Sequence, residues 1–122
     1  MGYFLDTYAI IEFLKSNKSY VKYFKQRNIT IRLNLMELYY KSLRCFGKEL
    51  ADKFYSVFLA FVVDFDDDAI KEAMEFRLKM QKEGKKFSYT DAIGYIVAKN
   101  SKVEFLTGDG EFKGLPNVKF VK

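Results

Sequence analysis

The sequence predicts a single α/β domain with a central, mainly parallel sheet. Three observations carry that expectation. Short runs of apolar, β-branched and aromatic residues alternate with longer stretches of helical periodicity. The runs are apolar on both faces, as buried parallel strands are. No proline-rich linker, repeat or low-complexity segment divides the 122 residues, which suit one core.

In chain order, residues 1–5 read as a strand that ends at Asp6. A helix follows from about Thr7 to Lys15, with Ile10, Ile11 and Leu14 inward. Residues 19–26 read as a second helix, with a basic outer face beside Val21 and Phe24. Ile29 to Leu33 reads as a strand through its β-branched residues. Asn34 can cap the next helix, which holds Leu35, Leu38, Tyr39 and Leu43, and Gly47 breaks it. Residues 49–60 form another helix and 61–65 a strand. Residues 66–83 form a long helix with Ile70, Ala73, Met74 and Leu78 as its inward stripe, and Gly84 lies just past its end. Ser88 or Thr90 opens a helix to Lys99, and strands follow at 103–106 and 118–121. The one proline, Pro116, lies in the loop between those strands.

Composition removes several kinds of chemistry. The chain has no histidine, which excludes histidine acid–base catalysis, Ser-His-Asp and Cys-His systems and histidine metal sites. One cysteine, Cys45, can form neither an internal disulfide nor a metal cage; it reads as a small core or interface residue and suits a reducing cytoplasm. No run reaches the ~20 apolar residues of a membrane span, and the N-terminus lacks a signal peptide's basic start. A net charge of +5 favours an anionic partner such as nucleic acid. The chemistry that remains is carboxylate, hydroxyl, lysine or bound metal.

In open α/β sheets, ligands gather beyond the carboxyl ends of the strands, where the helices begin. Asp6 and Asp109 each follow a predicted strand, and Glu37 and Asp91 lie near predicted helix starts. Each acid also has an ordinary role. Asp6 can cap a helix, Glu37 can pair with Lys41, Asp91 can join Ser88 in a capping box, and Asp109 can serve the Gly108-Asp109-Gly110 turn. Their joint position on one edge gives them a joint purpose. Clustered carboxylates raise one another's pKa unless a cation joins them, and hard oxygen ligands suit Mg²⁺ or Mn²⁺. Such a metal can activate water and clamp a phosphoryl group. The run Asp64-Phe65-Asp66-Asp67-Asp68 is also acidic, but it sits where a strand yields to a helix and reads as cap and first turn. Tyr8, two residues after Asp6, stands where a haloacid-dehalogenase-type phosphatase needs an aspartate.

Four segments resemble the PIN-domain family, in particular its VapC-type toxins. They are Tyr3-Phe4-Leu5-Asp6-Thr7 with Ile10 to Leu14, Asn34-Leu35-Met36-Glu37-Leu38, Ser88-Tyr89-Thr90-Asp91-Ala92-Ile93, and Leu106-Thr107-Gly108-Asp109-Gly110-Glu111-Phe112. Their order and spacing agree over nearly the whole chain. The resemblance implies one domain over residues 1–122, with about five strands flanked by helices. It implies a metal-dependent endoribonuclease using Mg²⁺ or Mn²⁺, acting on RNA as the toxin of a toxin–antitoxin pair. Asp6, Glu37, Asp91 and Asp109 carry over as catalytic metal ligands, with Thr107, Asn34 and Glu111 in support. A cognate antitoxin and a homodimer are the implied protein partners, and a cytoplasmic location follows. The motif places no basic residue; Arg27, Arg32, Lys85, Lys86 and Lys113 are candidates for phosphate contact. Around residues 54–61 the helix is apolar on more than one face, which suits a core helix or a partner surface. Tyr8, Tyr39 and Tyr40 are candidates for base stacking or for the core. Two other functions fit the same fold: a non-catalytic PIN module binding RNA or protein, and an RNA-maturation nuclease without an antitoxin.

Overall fold

The computed structural model describes residues 2–122. Strand β1 (Tyr3–Leu5) leads into helix α1 (Thr7–Leu14) and a 3₁₀ segment, Lys18–Lys25. Helices α2 (Arg32–Phe46), α3 (Lys48–Leu59), α4 (Asp67–Lys82) and α5 (Tyr89–Asn100) follow. Strand β2 (Glu104–Thr107), a 3₁₀ turn (Gly110–Phe112) and strand β3 (Val118–Phe120) complete the chain.

The three strands form one parallel sheet in the order β1-β2-β3, with Phe4 opposite Phe105 and Leu5 opposite Leu106. Successive side chains of a strand point to opposite faces. Phe4 and Phe105 therefore enter one core with α4 and α5, where their rings stack at 5.4 Å. Leu5 and Leu106 enter the other, with Ile10, Leu35, Leu38 and Phe58. The sheet is thus the middle layer between two sets of helices. Helix α5 is buried from Ala92 to Ala98, as a helix apolar on all sides must be.

The two other expected strands are reduced to single bridges. Ile29 pairs with Phe4, and Thr30 pairs with Val62, both parallel. Neither segment lengthens, because helical structure claims its neighbours. Ile31 is already the N-cap of α2, while Phe61 and Val62 donate back to Phe58 and Leu59 in a helical turn. The two bridges lie beside β1, and the sheet itself keeps three strands where about five were expected. The segment expected as an α-helix at 19–26 is a 3₁₀ helix; Tyr20 and Tyr23, three apart, both turn to the core. In α4 the inward face is Ala69, Ala73 and Met80, while Ile70 and Leu78 of the expected stripe are exposed. Cys45 is exposed rather than in the core, because the buried positions of α2 are Asn34, Leu35, Leu38 and Ser42.

Gly84 ends α4 as expected. Its φ of +86° lets its N–H reach the Gln81 carbonyl while Lys85 donates to the Met80 carbonyl, the Schellman arrangement. Among the described residues no helix is long and apolar enough to cross a membrane.

Candidate active site at the carboxyl edge of the sheet

The site begins where β1 stops. Asp6 occupies the N-cap position of α1 in extended conformation (φ −68°, ψ 154°), yet its carboxylate caps nothing. Its Oδ2 instead accepts a hydrogen bond of 2.7 Å from Thr107 Oγ1, at the end of β2. The neighbouring parallel strands thus bring together two residues 101 apart in sequence. The same Thr107 hydroxyl accepts from the Asp109 amide at 3.0 Å. It thereby fixes the start of the loop that carries the last acid.

Glu37 approaches from α2. It makes no ion pair with Lys41; among the described residues the ion pairs are Lys48–Asp52 and Lys99–Glu72. Instead Thr7 Oγ1 donates to Glu37 Oε1 at 2.8 Å, and Asn34 Nδ2 donates to Thr7 Oγ1 at 3.0 Å. Asn34 is therefore not the cap of α2, which starts two residues earlier at Arg32. It lies in the first turn, 1% exposed, and fixes the Thr7 hydroxyl so that its proton faces Glu37. The Asn34 Oδ1 atom is buried without a partner. Thr7 is the candidate site residue that sequence reasoning missed. The available signal was a hydroxyl placed directly after Asp6, on a helix turn that must face the sheet.

Asp91 enters from α5. The capping box with Ser88 forms in both directions, with Ser88 N donating to Asp91 Oδ2 and Asp91 N to Ser88 Oγ, each at 3.0 Å. Asp109 also keeps its turn role, accepting from the Glu111 amide at 3.0 Å. Glu111 faces the α4–α5 connection. Its carboxylate accepts from the Lys86 amide and its carbonyl from Lys85 Nζ.

The electrostatics tie the four acids together. Burial, then the negative charges of Asp91 and Glu37, push the Asp6 carboxyl up to about 7 against the pull of the Thr107 hydrogen bond. Burial also raises Asp91, opposed by its Ser88 bonds and reinforced by Glu37 and Asp109. Asp6 is 4% exposed, and no lysine or arginine pairs with any of the four among the described residues. No three acids among the described residues lie close enough to hold one ion between them as they stand. A groove of about 610 Å³ lies between α4, α5 and the Pro116 loop and contains none of the four.

Acids at 64–68 behave as local chemistry dictates. Asp66 accepts from the Ala69 amide as the N-cap of α4, and Asp67 and Asp68 occupy its first turn. Tyr40 is exposed, whereas Tyr39 is partly buried and donates to Asp52.

Comparison with known proteins identifies the family and the fold. The PIN domain family model matches residues 3–118. No curated protein matches in sequence. Among solved structures, a toxin–antitoxin complex from Klebsiella pneumoniae superposes with a TM-score of 0.76 at 16% identity, covering 97% of this chain and 96% of that one. VapBC2 from Rickettsia felis, bound to a DNA fragment from its promoter, gives 0.73 at 22% identity over 99% and 98%. DNA-bound VapBC from Salmonella typhimurium gives 0.76 at 18% identity over 99% and 97%. These likenesses establish the fold, and the match over nearly the whole sequence establishes the family: the chain belongs to the PIN-domain family.

Proposed function

We propose that this chain is a metal-dependent endoribonuclease and the toxin of a toxin–antitoxin pair. One observation carries the reading. Asp6 is buried at the carboxyl edge of the sheet beside Asp91 and Glu37, with no basic side chain to offset them among the described residues. A fold keeps such a cluster at a cost in stability unless a cation joins it.

The donor set suits Mg²⁺ or Mn²⁺, since it consists of hard carboxylate oxygens. Asp6, Glu37, Asp91 and Asp109 are the residues that would hold it. Their open spacing fits an ion that keeps several waters and takes only one or two carboxylates directly. Bound there, a divalent ion supplies an activated water and charge stabilisation for a phosphoryl group. The chain's own residues set the geometry. Thr107 holds Asp6 Oδ2 and the Asp109 amide, the Asn34–Thr7 pair aims Glu37, and Ser88 fixes one oxygen of Asp91. With no histidine in the chain, proton transfer falls to carboxylates and water.

The antitoxin and a second copy of the chain are the proposed protein partners. The fold shared with the toxin–antitoxin complexes supports the first. For either, the apolar side chains left exposed on α2 and α3 (Met36, Tyr40, Leu43, Val57 and Leu59) offer a surface to cover.

The test is cleavage of structured and single-stranded RNAs by the purified chain with Mg²⁺ or Mn²⁺, beside Asp6→Asn and an EDTA control. Cutting that disappears in both controls supports the reading; cutting that survives Asp6→Asn refutes it. A second reading, a non-catalytic PIN module, is favoured by one fact: Glu37, Asp91 and Asp109 each already accept a hydrogen bond from the protein. That reading predicts neither cutting nor a metal-induced rise in melting temperature.

A further inference from the structure

The positive charge of the chain is concentrated in one place. Residues 15–27 hold Lys15, Lys18, Lys22, Lys25 and Arg27, and the C-terminal end adds Lys119 and Lys122. Those seven are a third of the 21 lysines and arginines, and no acid lies in either segment. With 16 acids elsewhere, the rest of the chain is net −2.

Folding gathers this charge rather than dispersing it. The 3₁₀ segment and β3 meet in a groove of about 540 Å³ lined by Lys18, Lys22, Lys25 and Lys119 around Tyr23. The ammonium groups of Lys22 and Lys119 lie 5.2 and 5.9 Å from the Tyr23 ring centre. Among the described residues, none of these four lysines is ion-paired. Like charges so collected repel one another, and a bound polyanion relieves that repulsion.

The groove adjoins the carboxylate edge through Val121, whose amide donates to the Thr107 carbonyl. Tyr20, the fully buried residue of the 3₁₀ segment, donates its hydroxyl to the Val121 carbonyl. Val121 lines the groove, and its carbonyl also abuts Gly108, the residue between Thr107 and Asp109. A Cβ at Gly108 would lie 2.3 Å from the Tyr8 ring, 2.5 Å from the Val121 carbonyl oxygen and 2.7 Å from the Tyr20 hydroxyl. Only glycine lets the acid-bearing loop approach the basic segment so closely. The ammonium of Lys122 lies 5.8 Å from the centre of the Tyr8 ring.

We propose that the groove of Lys18, Lys22, Lys25 and Lys119 is a track for the phosphate backbone of single-stranded RNA leading to the carboxylate edge. This rests on the nuclease reading above. RNA is the occupant because the groove adjoins a site proposed to cut phosphodiesters. A strand whose cut point lies among repelling acids needs its binding energy from a basic surface beside them. The side chains are lysines around an aromatic ring, with Lys18, Lys22 and Lys25 exposed and Lys119 half-buried, which follow a backbone without reading bases.

The experiment measures binding of a short, unstructured fluorescent RNA by anisotropy in EDTA, where nothing is cut, across a range of salt. Three proteins are compared: the wild type, the combined Lys18→Gln, Lys22→Gln, Lys25→Gln and Lys119→Gln variant, and a charge-matched control, Lys53→Gln, Lys71→Gln, Lys79→Gln and Lys82→Gln. Each neutralised phosphate contact contributes about −0.7 to the slope of log K against log salt for single strands. The groove variant is expected to lose about 2 to 3 of that slope and roughly tenfold or more in affinity at low salt. The control is expected to keep both. A groove variant that binds like the wild type, or a control that loses as much, overturns the track and leaves the nuclease reading standing. Wild-type protein that binds no RNA, or that binds anionic lipid vesicles through these lysines instead, also overturns it; absence of metal-dependent cutting is the separate result that overturns the nuclease reading.

Discussion

Two acidic regions of this molecule behave in opposite ways. Asp64, Asp66, Asp67 and Asp68 are crowded in sequence yet exposed, and they serve α4 through one cap and a favourable first turn. Asp6, Glu37, Asp91 and Asp109 are scattered over the chain yet meet at one sheet edge, where burial and mutual repulsion lift Asp6 to about 7. The difference teaches that adjacency in sequence does not make a charged site. Water dissipates the repulsion in the first region, whereas in the second the fold buries Asp6 and half-buries the other three.

The largest expected effect tests that contrast directly. Asp6→Asn should lower metal-dependent RNA cleavage at least ~100-fold, since even groups that merely support a ligand are worth about 10- to 100-fold. Asp67→Asn and Asp68→Asn should leave the rate within about twofold, as surface changes far from a site do. Equal losses in all three variants, read by gel cleavage rates, would erase the distinction.

Stability against pH should differ next. The unfolded Asp6 carboxyl releases its proton near 3.8 and the folded one near 7. Between those values the native state holds the extra proton, so metal-free stability falls as pH rises through this window and the loss is complete above it. Urea titrations should show Asp6→Asn flattening this fall and stabilising the metal-free protein at pH 8 by something on the order of a few kcal/mol. A wild-type curve that rises steadily from pH 5 to pH 8, with no change of slope in Asp6→Asn, would contradict the burial argument.

Metal should reverse the same penalty. At 100 times its Kd, Mn²⁺ should add about 2.7 kcal/mol, seen as a rise in melting temperature. Asp6→Asn should lose most of that rise, and Asp67→Asn should keep it. The smallest effect belongs to the local acids. Asp66→Ala removes the bond to the Ala69 amide and should cost about 1 kcal/mol in chemical denaturation, with cleavage unchanged.

The same division marks what could be read before folding. Gly84, Asp66 and the Ser88–Asp91 box were legible, because caps and turns join groups within a few residues. So was the alternation of strands and helices. On α4, Ala73 and Met74 of the expected stripe do face the core, but Ile70 and Leu78 were misread: they are apolar yet exposed, and Ala69 and Met80 are buried in their place. For Cys45 the exposed position removes the core alternative and leaves the interface one, because apolar character does not say which side of a helix meets the sheet. The pairing of Lys119 with Lys18, Lys22 and Lys25 left no trace at all in sequence order.

By itself, then, the sequence determined the layered α/β class, the order of its helices and the absence of histidine chemistry. These follow from periodicity, local hydrogen bonding and composition, which act over short stretches of chain. The tertiary structure alone decided that Thr107 rather than a helix amide receives the Asp6 carboxylate. It decided too that Thr7 and Asn34 aim Glu37, and that a lysine groove opens beside them. Each of those contacts spans tens of residues, and its partner is chosen by strand register and helix packing, which no local pattern encodes.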